Sequence, residues 1–281
     1  MSCNDRDNDR DNDRDMIELL GNVLPAVANQ MRLPLSNIHG AAAALIPPEL
    51  REQDEACDVN AAILYQGYYR MLRVMNNLAS ASILKESTPF VKKNLELVQW
   101  LREICLVAEP VLREKKITMH YSCDLTAHIV AVEKYYLERL VWNLLSNAAK
   151  YTPKGGKITV SLRLRERYVY LSVADTGCGM TDEEKKAAFS RYAHCEPSLN
   201  HGIGLGLPLC WRIAEGHGGR LVLESVKGQG TCVTVCLPDE RSDAAQLRDH
   251  QGFDYHGGFQ PHLVELADAL SYQSFLQKNM D

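Results

Sequence analysis

The chain has 281 residues, of which 46% are hydrophobic and 24% charged, and its formal net charge at pH 7 is −5. It is long enough for two ordered units, and its mild, interleaved charge offers no basic surface for nucleic acid or anionic lipid. The longest nearly apolar run, GAAAALI, is far shorter than the roughly 20 residues that span a bilayer. We therefore predict a cytoplasmic protein with no nucleic-acid partner and no membrane insertion.

The chain begins with a polar repeat. After the first three residues, the unit NDRD occurs three times in succession and contains no apolar side chain. A segment of this kind cannot bury enough surface to offset the entropy of ordering it. We therefore predict a disordered lead over residues 1–15.

Residues 16–86 have the apolar spacing of two long helices. One apolar stripe runs to Ile46, where PPEL interrupts it, and a second passes through Tyr68 and Met75. Pro34 lies inside the first stripe, where an interior proline costs about 3 kcal/mol, so the helix either ends there or tolerates a kink. Each stripe is too wide for the other helix to cover. We predict a dimerisation hairpin that pairs with a second copy into a four-helix bundle.

After a linker over residues 87–94, helical and strand patterns alternate. Residues 95–239 contain two amphipathic helices, a strand over 117–123 and two hairpins of alternating strands. Helices on one face of a mixed sheet predict a two-layer α/β sandwich, so the whole chain belongs to the α+β class. The tail over residues 240–281 has the pattern of a short amphipathic helix, and its role does not follow from the sequence.

The helix that contains NLLSNAAKY carries the first candidate binding groups. Its spacing lines up four side chains along one side: Asn143, Asn147, Lys150 and Tyr151. Amide oxygens suit Mg²⁺, an ammonium suits phosphate, and an aromatic ring suits a nucleotide base. Taken alone, an asparagine on a helix is more often a cap or a surface residue.

Three glycine-containing turns follow in chain order. In DTGCGM, Asp175 can accept a hydrogen bond from an exocyclic amine, while Gly177 and Gly179 permit close approach of a ligand. GIGLGL opens a helix and can offer backbone donors to phosphate, and GQGT forms the last turn. These two turns contain Gly202, Gly204, Gly206 and Thr231. A single glycine-rich motif is more often a flexible loop, but the four features in this order predict binding of ATP or ADP.

The segments LERLVWNLLSNAAKYT, VADTGCGM and GIGLGLPLCWRIAEGHGG resemble the catalytic ATP-binding domain of bacterial sensor histidine kinases, with its N, G1, F and G2 boxes. The resemblance implies that ATP and Mg²⁺ are the cofactors. Asn147, with help from Asn143, would hold Mg²⁺, Lys150 would contact phosphate and Tyr151 would pack beside the base. Asp175 would bind the adenine amino group. The resemblance also assigns FSRY, around Phe189, to the F box, and Gly202, Gly204 and Gly206 to the hinges of an ATP lid.

Two departures from that family stand out. On the first helix, where the family has a phosphoacceptor histidine followed by an acidic residue, this chain has Asn29 and Gln30, although Arg32, Pro34 and Leu35 of the motif are kept. An amide nitrogen is not a usable nucleophile. In the lid, the segment between Arg191 and Gly202 contains no lysine or arginine, only His194 and His201. Neutralisation of phosphate by the lid should therefore be weaker or depend on pH.

Two classes of function remain open at this point. The chain resembles a dimeric, Mg·ATP-binding histidine kinase of two-component signalling, which could transfer phosphate through His39 or to another kinase chain. His39 lies about 15 Å along the helix and about 80° around it from Asn29, so an ATP domain docked for one would miss the other. Alternatively, the chain is a non-catalytic, ATP-gated module that regulates a partner such as a response regulator. Asn29 and Gln30 favour this second class.

Overall fold

A computed structural model describes residues 3–84, 90–190, 206–242 and 260–279. Three helices form the N-terminal hairpin: α1 (Cys3–Leu45), α2 (Pro48–Gln53) and α3 (Glu55–Ala79). Helix α3 begins where the carboxylate of Asp54 accepts hydrogen bonds from the backbone N–H groups of Ala56 and Cys57, at 2.9 and 3.2 Å. The hairpin core contains small, aliphatic and aromatic side chains, including Ala28, Leu35, Ala61 and Tyr69.

Helix α1 differs from the sequence prediction at its start. It begins at Cys3, so residues 3–15, which were predicted to belong to a disordered lead, have a helical backbone. Pro25 and Pro34 both lie inside α1, so Pro34 does not end the helix. No helix in the described part of the chain combines the length and the apolar character needed to cross a membrane.

The second part of the chain is a two-layer α/β sandwich, as predicted. Its strands are β1 (Lys93–Glu96), β2 (Thr118–Cys123), β3 (Ile129–Val132), β4 (Lys157–Arg165), β5 (Tyr168–Asp175), β6 (Arg220–Val226) and β7 (Gly230–Pro238). Its helices are α4 (Leu97–Glu114), α5 (Lys134–Tyr151), α6 (Asp182–Ser190) and α7 (Gly206–Gly216). The main sheet has five strands in the order β2-β4-β5-β7-β6, parallel between β2 and β4 and antiparallel elsewhere.

A small antiparallel pair, β1 with β3, was missed by the sequence analysis. Strand β1 begins at Lys93, inside the predicted linker over residues 87–94. Both strands have four residues, too few to show a clear alternation. At the end of β1, the carboxylate of Glu96 accepts hydrogen bonds from the N–H groups of Gln99 and His128, at 2.6 and 2.7 Å, and so joins this pair to the start of α4.

The C-terminal segment, residues 260–279, packs against both parts of the protein. It contains the short helix α8 (Pro261–Leu266) and contacts α3 on one side and α5 on the other. Its apolar side chains are almost completely buried: Leu263, Val264, Leu266, Leu270 and Phe275. A buried ion pair joins Arg139 of α5 to Glu265, and Nη2 of Arg51 donates to the carbonyl of Phe275 at 2.7 Å. The segment therefore joins the hairpin to the sandwich.

His217, at the end of α7, makes the stability of the sandwich depend on pH. Its Nε2 accepts from the N–H of Glu133 at 2.9 Å, and Nδ1 lies 2.7 Å from the carbonyl of Ile213, so the neutral ring satisfies both groups. Burial lowers the pKa of His217 from 6.5 to about 4. Since the unfolded chain binds this proton more readily, the stabilisation is present above pH 6.5 and is lost as the pH falls toward 4. Its full size is about 3 kcal/mol.

We therefore expect the free energy of unfolding, measured with urea, to fall steeply between pH 6.5 and 4.5. In His217→Gln this slope should be clearly smaller, because a glutamine oxygen can accept from Glu133 without titrating. The exposed His120 on β2 gives a matched control, and His120→Gln should retain the wild-type slope. An unchanged slope in His217→Gln would show that the ring does not titrate with unfolding.

Candidate functional site

A cavity of about 580 Å³ lies between α5, the ends of β5 and β7, and helix α3. Eight of the residues predicted to bind nucleotide line it: Asn143, Asn147, Lys150, Tyr151, Asp175, Gly179, Gly206 and Thr231. Gly177 lies against two of these residues, Tyr151 and Asp175. Gly202 and Gly204 lie outside the described residues, as do His194 and His201. Phe189 lies in α6.

Asn143 is the most deeply buried polar group of the site. It is 1% exposed, and its Nδ2 has no hydrogen-bond partner among the described residues. The start of α7 lies beside it, because a side chain added at Gly206 would place its Cβ 3.6 Å from Oδ1 of Asn143. An unpaired buried amide costs about 1–3 kcal/mol, so this side chain indicates a polar ligand at this end of the cavity.

Asp175 ends strand β5 at the other end of the cavity. Its Oδ1 accepts from the N–H groups of Gly177 at 2.8 Å and Thr231 at 3.3 Å, while Oδ2 has no such contact among the described residues. Burial raises the pKa of Asp175, and the two backbone donors oppose that shift. The carboxyl group is thus fixed through one oxygen and can accept a ligand donor through the other.

Ser225 orders the turn around Asp175 and was missed by the sequence analysis. Its hydroxyl accepts from the N–H of Met180 at 2.8 Å, donates to the carbonyl of Gly230 at 3.0 Å and lies 2.9 Å from Oγ1 of Thr231. The side chain of Thr231 therefore serves the turn, while its backbone N–H serves Asp175. Only its position next to a glycine turn could have indicated this serine, since the strand pattern does not distinguish it.

The glycine at position 177 allows the carboxylate to sit against α5. A Cβ at this position would lie 2.5 Å from the carbonyl oxygen of Tyr151 and 2.7 Å from Oδ1 of Asp175. We expect Gly177→Ala to weaken ATP binding at least tenfold, because the methyl group must displace the carboxylate or the end of α5. Calorimetric titration with ATP measures this loss. Gly67→Ala is the control, because a Cβ there contacts nothing within 4 Å, and its ATP affinity should be unchanged.

Helix α3 contributes a wall of the cavity that the sequence analysis did not predict. Arg70, Arg73 and Asn77 line it, together with Asp268 of the C-terminal segment. Nε of the buried Arg73 lies 3.0 Å from Oδ2 of Asp268. On the α5 side, Nζ of Lys150 lies 5.3 Å from the centre of the Tyr151 ring. Cationic groups from the hairpin and from the sandwich therefore face the same space.

The helix that carries the degenerate acceptor motif does not reach this cavity. Asn29 and Gln30 are exposed, and no described residue of α1 lines the cavity. The His39 ring packs against Tyr68 and Tyr65, with ring centres 4.7 and 5.6 Å apart, and burial lowers its pKa. His39 is therefore part of the packing between the two hairpin helices.

Comparison with protein families identifies one part of the chain. Residues 133–241 match the family described as histidine kinase-, DNA gyrase B- and HSP90-like ATPases. Among curated proteins, the adaptive-response sensory kinase SasA of Rippkaea orientalis is 30% identical over 226 residues, which cover 76% of this chain and 57% of SasA. The chain thus spans little more than half the length of this relative.

Two solved structures share the fold over most of the chain. Full-length ShkA in complex with AMPPNP gives a TM-score of 0.59 at 20% identity, covering 79% of this chain and 46% of ShkA. The histidine kinase ThkA in complex with the response regulator TrrA gives 0.55 at 21% identity, covering 84% of this chain and 66% of ThkA. The predicted fold class, a helical region followed by an α/β sandwich, is confirmed.

Proposed function

We propose that this chain binds Mg·ATP as a two-component signalling protein whose acceptor histidine is replaced by Asn29. The proposal is supported by its histidine kinase-type ATPase domain and by its relation to bacterial sensor histidine kinases. The proposal rests on two polar groups that line the cavity. One is a buried amide whose NH₂ group has no hydrogen-bond partner among the described residues, and the other is a carboxylate of which only one oxygen accepts from the backbone. These are Asn143 and Asp175. Such an arrangement suits a ligand with a metal-bound polar end and an amino-bearing ring.

Each of the predicted site residues has a side chain that suits a different part of Mg·ATP. Amide oxygens of Asn147 and Asn143 would hold Mg²⁺, which prefers oxygen ligands. Lys150 would contact phosphate, and the ring of Tyr151, which is 39% exposed, would pack beside the base. Asp175 would accept from the adenine amino group. When bound, the metal supplies charge neutralisation to the phosphates.

Transfer of phosphate within this chain is disfavoured by the position of its side chains. Asn29 offers no nucleophile, and His39 is packed against two tyrosines away from the cavity. We therefore favour the non-catalytic alternative, an ATP-gated module that regulates a response regulator or another kinase chain. Phosphorylation of a histidine on that other chain is the second candidate, because the described part of the ATP site keeps its polar groups.

A homodimer through the hairpin fits the same proposal. Several large apolar side chains of α1 and α3 are exposed in the single chain, with exposed fractions between 39% and 54%: Val27, Met31, Ile38, Leu64 and Met71. Apolar side chains spread along two neighbouring helices are typical of a bundle whose other half comes from a second copy. Their exposure supports the four-helix bundle predicted from the sequence.

The proposal is tested by incubating the purified protein with Mg·[γ-³²P]ATP and, in parallel, titrating it with ATP in a calorimeter. We expect ATP binding that is lost in Asp175→Ala, and no covalent label. Acid-labile, base-stable label that disappears in both Asp175→Ala and His39→Ala would instead identify an active kinase with a displaced acceptor. Absence of ATP binding would exclude the proposed function altogether.

A further inference from the structure

Nucleotide phosphates in this site need positive charge from somewhere other than the lid. The lid sequence between Arg191 and Gly202 contains no lysine or arginine. Of the described cations that line the cavity, Lys227 contacts the carboxylate of Glu184 at 3.0 Å, and Lys150 lies on α5. The other two are Arg70 and Arg73, which belong to the helical hairpin.

Arg73 lines the cavity together with the two asparagines of α5, Asn143 and Asn147. Asn77, one helical turn further along α3, bonds to Nη2 of Arg139 at 2.7 Å. Arg139 precedes Asn143 by one turn of α5, so this bond joins α3 to the part of α5 that carries Asn143. A guanidinium binds phosphate through several N–H donors and remains charged at any working pH.

A carboxylate lies against this guanidinium, in an ion-pair contact that lacks hydrogen-bond geometry. Oδ2 of Asp268 lies 3.0 Å from Nε of Arg73, and the two side chains are 39% and 4% exposed respectively. The arginine is thus buried, while the aspartate is more open to the cavity that both line. A nucleotide phosphate beside Arg73 would face the same cation and would be repelled by the same carboxylate.

We propose that Arg73 is a phosphate-binding residue of the nucleotide site and that Asp268 occupies it when no nucleotide is bound. The polyphosphate of ATP and the carboxylate of the C-terminal segment compete for one guanidinium. This inference rests on the proposed ATP-binding function. It adds to the site a phosphate-binding residue from outside the ATPase domain, Arg73, and a competitor that lowers ATP affinity, Asp268.

The competition is local, because other contacts keep the C-terminal segment docked. Glu265 remains paired with Arg139, and Nε2 of Gln66 donates to the carbonyl of Leu270 at 2.7 Å. Leu266 and Leu270 stay buried. Release of Asp268 therefore needs only a change of its side chain, and binding of phosphate and of Asp268 to Arg73 must weaken each other reciprocally.

The experiment titrates the full chain with Mg·ATP, Mg·ADP and adenosine, in the wild type and in Asp268→Asn. We expect Asp268→Asn to bind ATP about tenfold more tightly, ADP by a smaller factor, and adenosine unchanged. Asp58→Asn is the control. Asp58 contacts Arg51 and the N–H of Gln277 at the far end of the same segment and does not line the cavity. Its ATP affinity should match the wild type.

A second pair of variants separates charge competition from loosening of the fold. Arg73→Gln should weaken ATP binding without changing adenosine binding, and the gain from Asp268→Asn should disappear in the Arg73→Gln background. Equal ATP affinity in the wild type and Asp268→Asn, a gain that persists without Arg73, or the same gain in Asp58→Asn would each overturn the inference while leaving ATP binding intact. If the wild type binds no ATP, the proposed function fails as well.

Discussion

Asp175→Asn is expected to weaken ATP binding about 10- to 150-fold, while the protein remains folded. Asparagine has the same shape and can still accept from the N–H of Gly177 through one oxygen. The atom in the position of Oδ2, however, becomes an NH₂ donor that faces the donor amino group of adenine. Loss of a hydrogen bond to a charged group costs about 1.5–3 kcal/mol, which corresponds to this range of affinity.

Calorimetric titration of the wild type and the variant measures the effect, and Asp124→Asn provides the control. Asp124 is 72% exposed and lies 3.6 Å from Arg163, so its replacement should leave ATP affinity unchanged. GTP should bind weakly to the wild type, because a guanine carbonyl would face the carboxylate. Since burial raises the pKa of Asp175, ATP affinity should also fall as the pH is lowered through that raised pKa. Equal ATP affinities in Asp175→Asn and the wild type would remove this residue from the site.

The nucleotide-binding side of the protein could be predicted from the sequence because its signals are local. Asn143, Asn147, Lys150 and Tyr151 share one helix, so their spacing alone places them on one side of it. Asp175 follows an alternating strand, and the glycine turn after it limits where the chain can go. Each of these features lies within its own short stretch of chain, and the structure brings them to one cavity.

The other wall of the cavity could not be predicted, because it depends on contacts between distant parts of the chain. Arg73 and Asp268 are far apart in the sequence, and so are Arg139 and Glu265. Arg70 and Arg73 lie at polar positions of the amphipathic pattern of helix α3. A helix face exposed to solvent would show the same pattern, so the pattern does not indicate a cavity wall. The tail gave only the signal of a short helix. Where that helix would pack depends on the shape of the groove between α3 and α5.

The buried ion pair between Arg139 and Glu265 predicts a large effect on the stability of the protein. Arg139→Met is expected to lower the free energy of unfolding by about 3–5 kcal/mol, because the buried carboxylate of Glu265 would lose its ion pair with Arg139. The side chains of Arg139 and Glu265 are 7% and 2% exposed, and Asn77 would lose its donor as well. Urea titration of the full chain, with the amide exchange rates of the C-terminal segment, measures the change.

Arg113→Met is the matched control for that variant. Arg113 pairs with Glu109 at 2.7 Å, but its side chain is 75% exposed, and such surface pairs contribute less than about 1 kcal/mol. A cost for Arg139→Met no larger than this would mean that the pair does not keep the C-terminal segment docked. In the double variant Arg139→Met, Glu265→Met most of the stability should return, because two apolar side chains leave no charge buried. Recovery in the double variant would show that the cost comes from the buried carboxylate that has lost its ion pair, so the pair determines where the segment docks more than how stable the protein is.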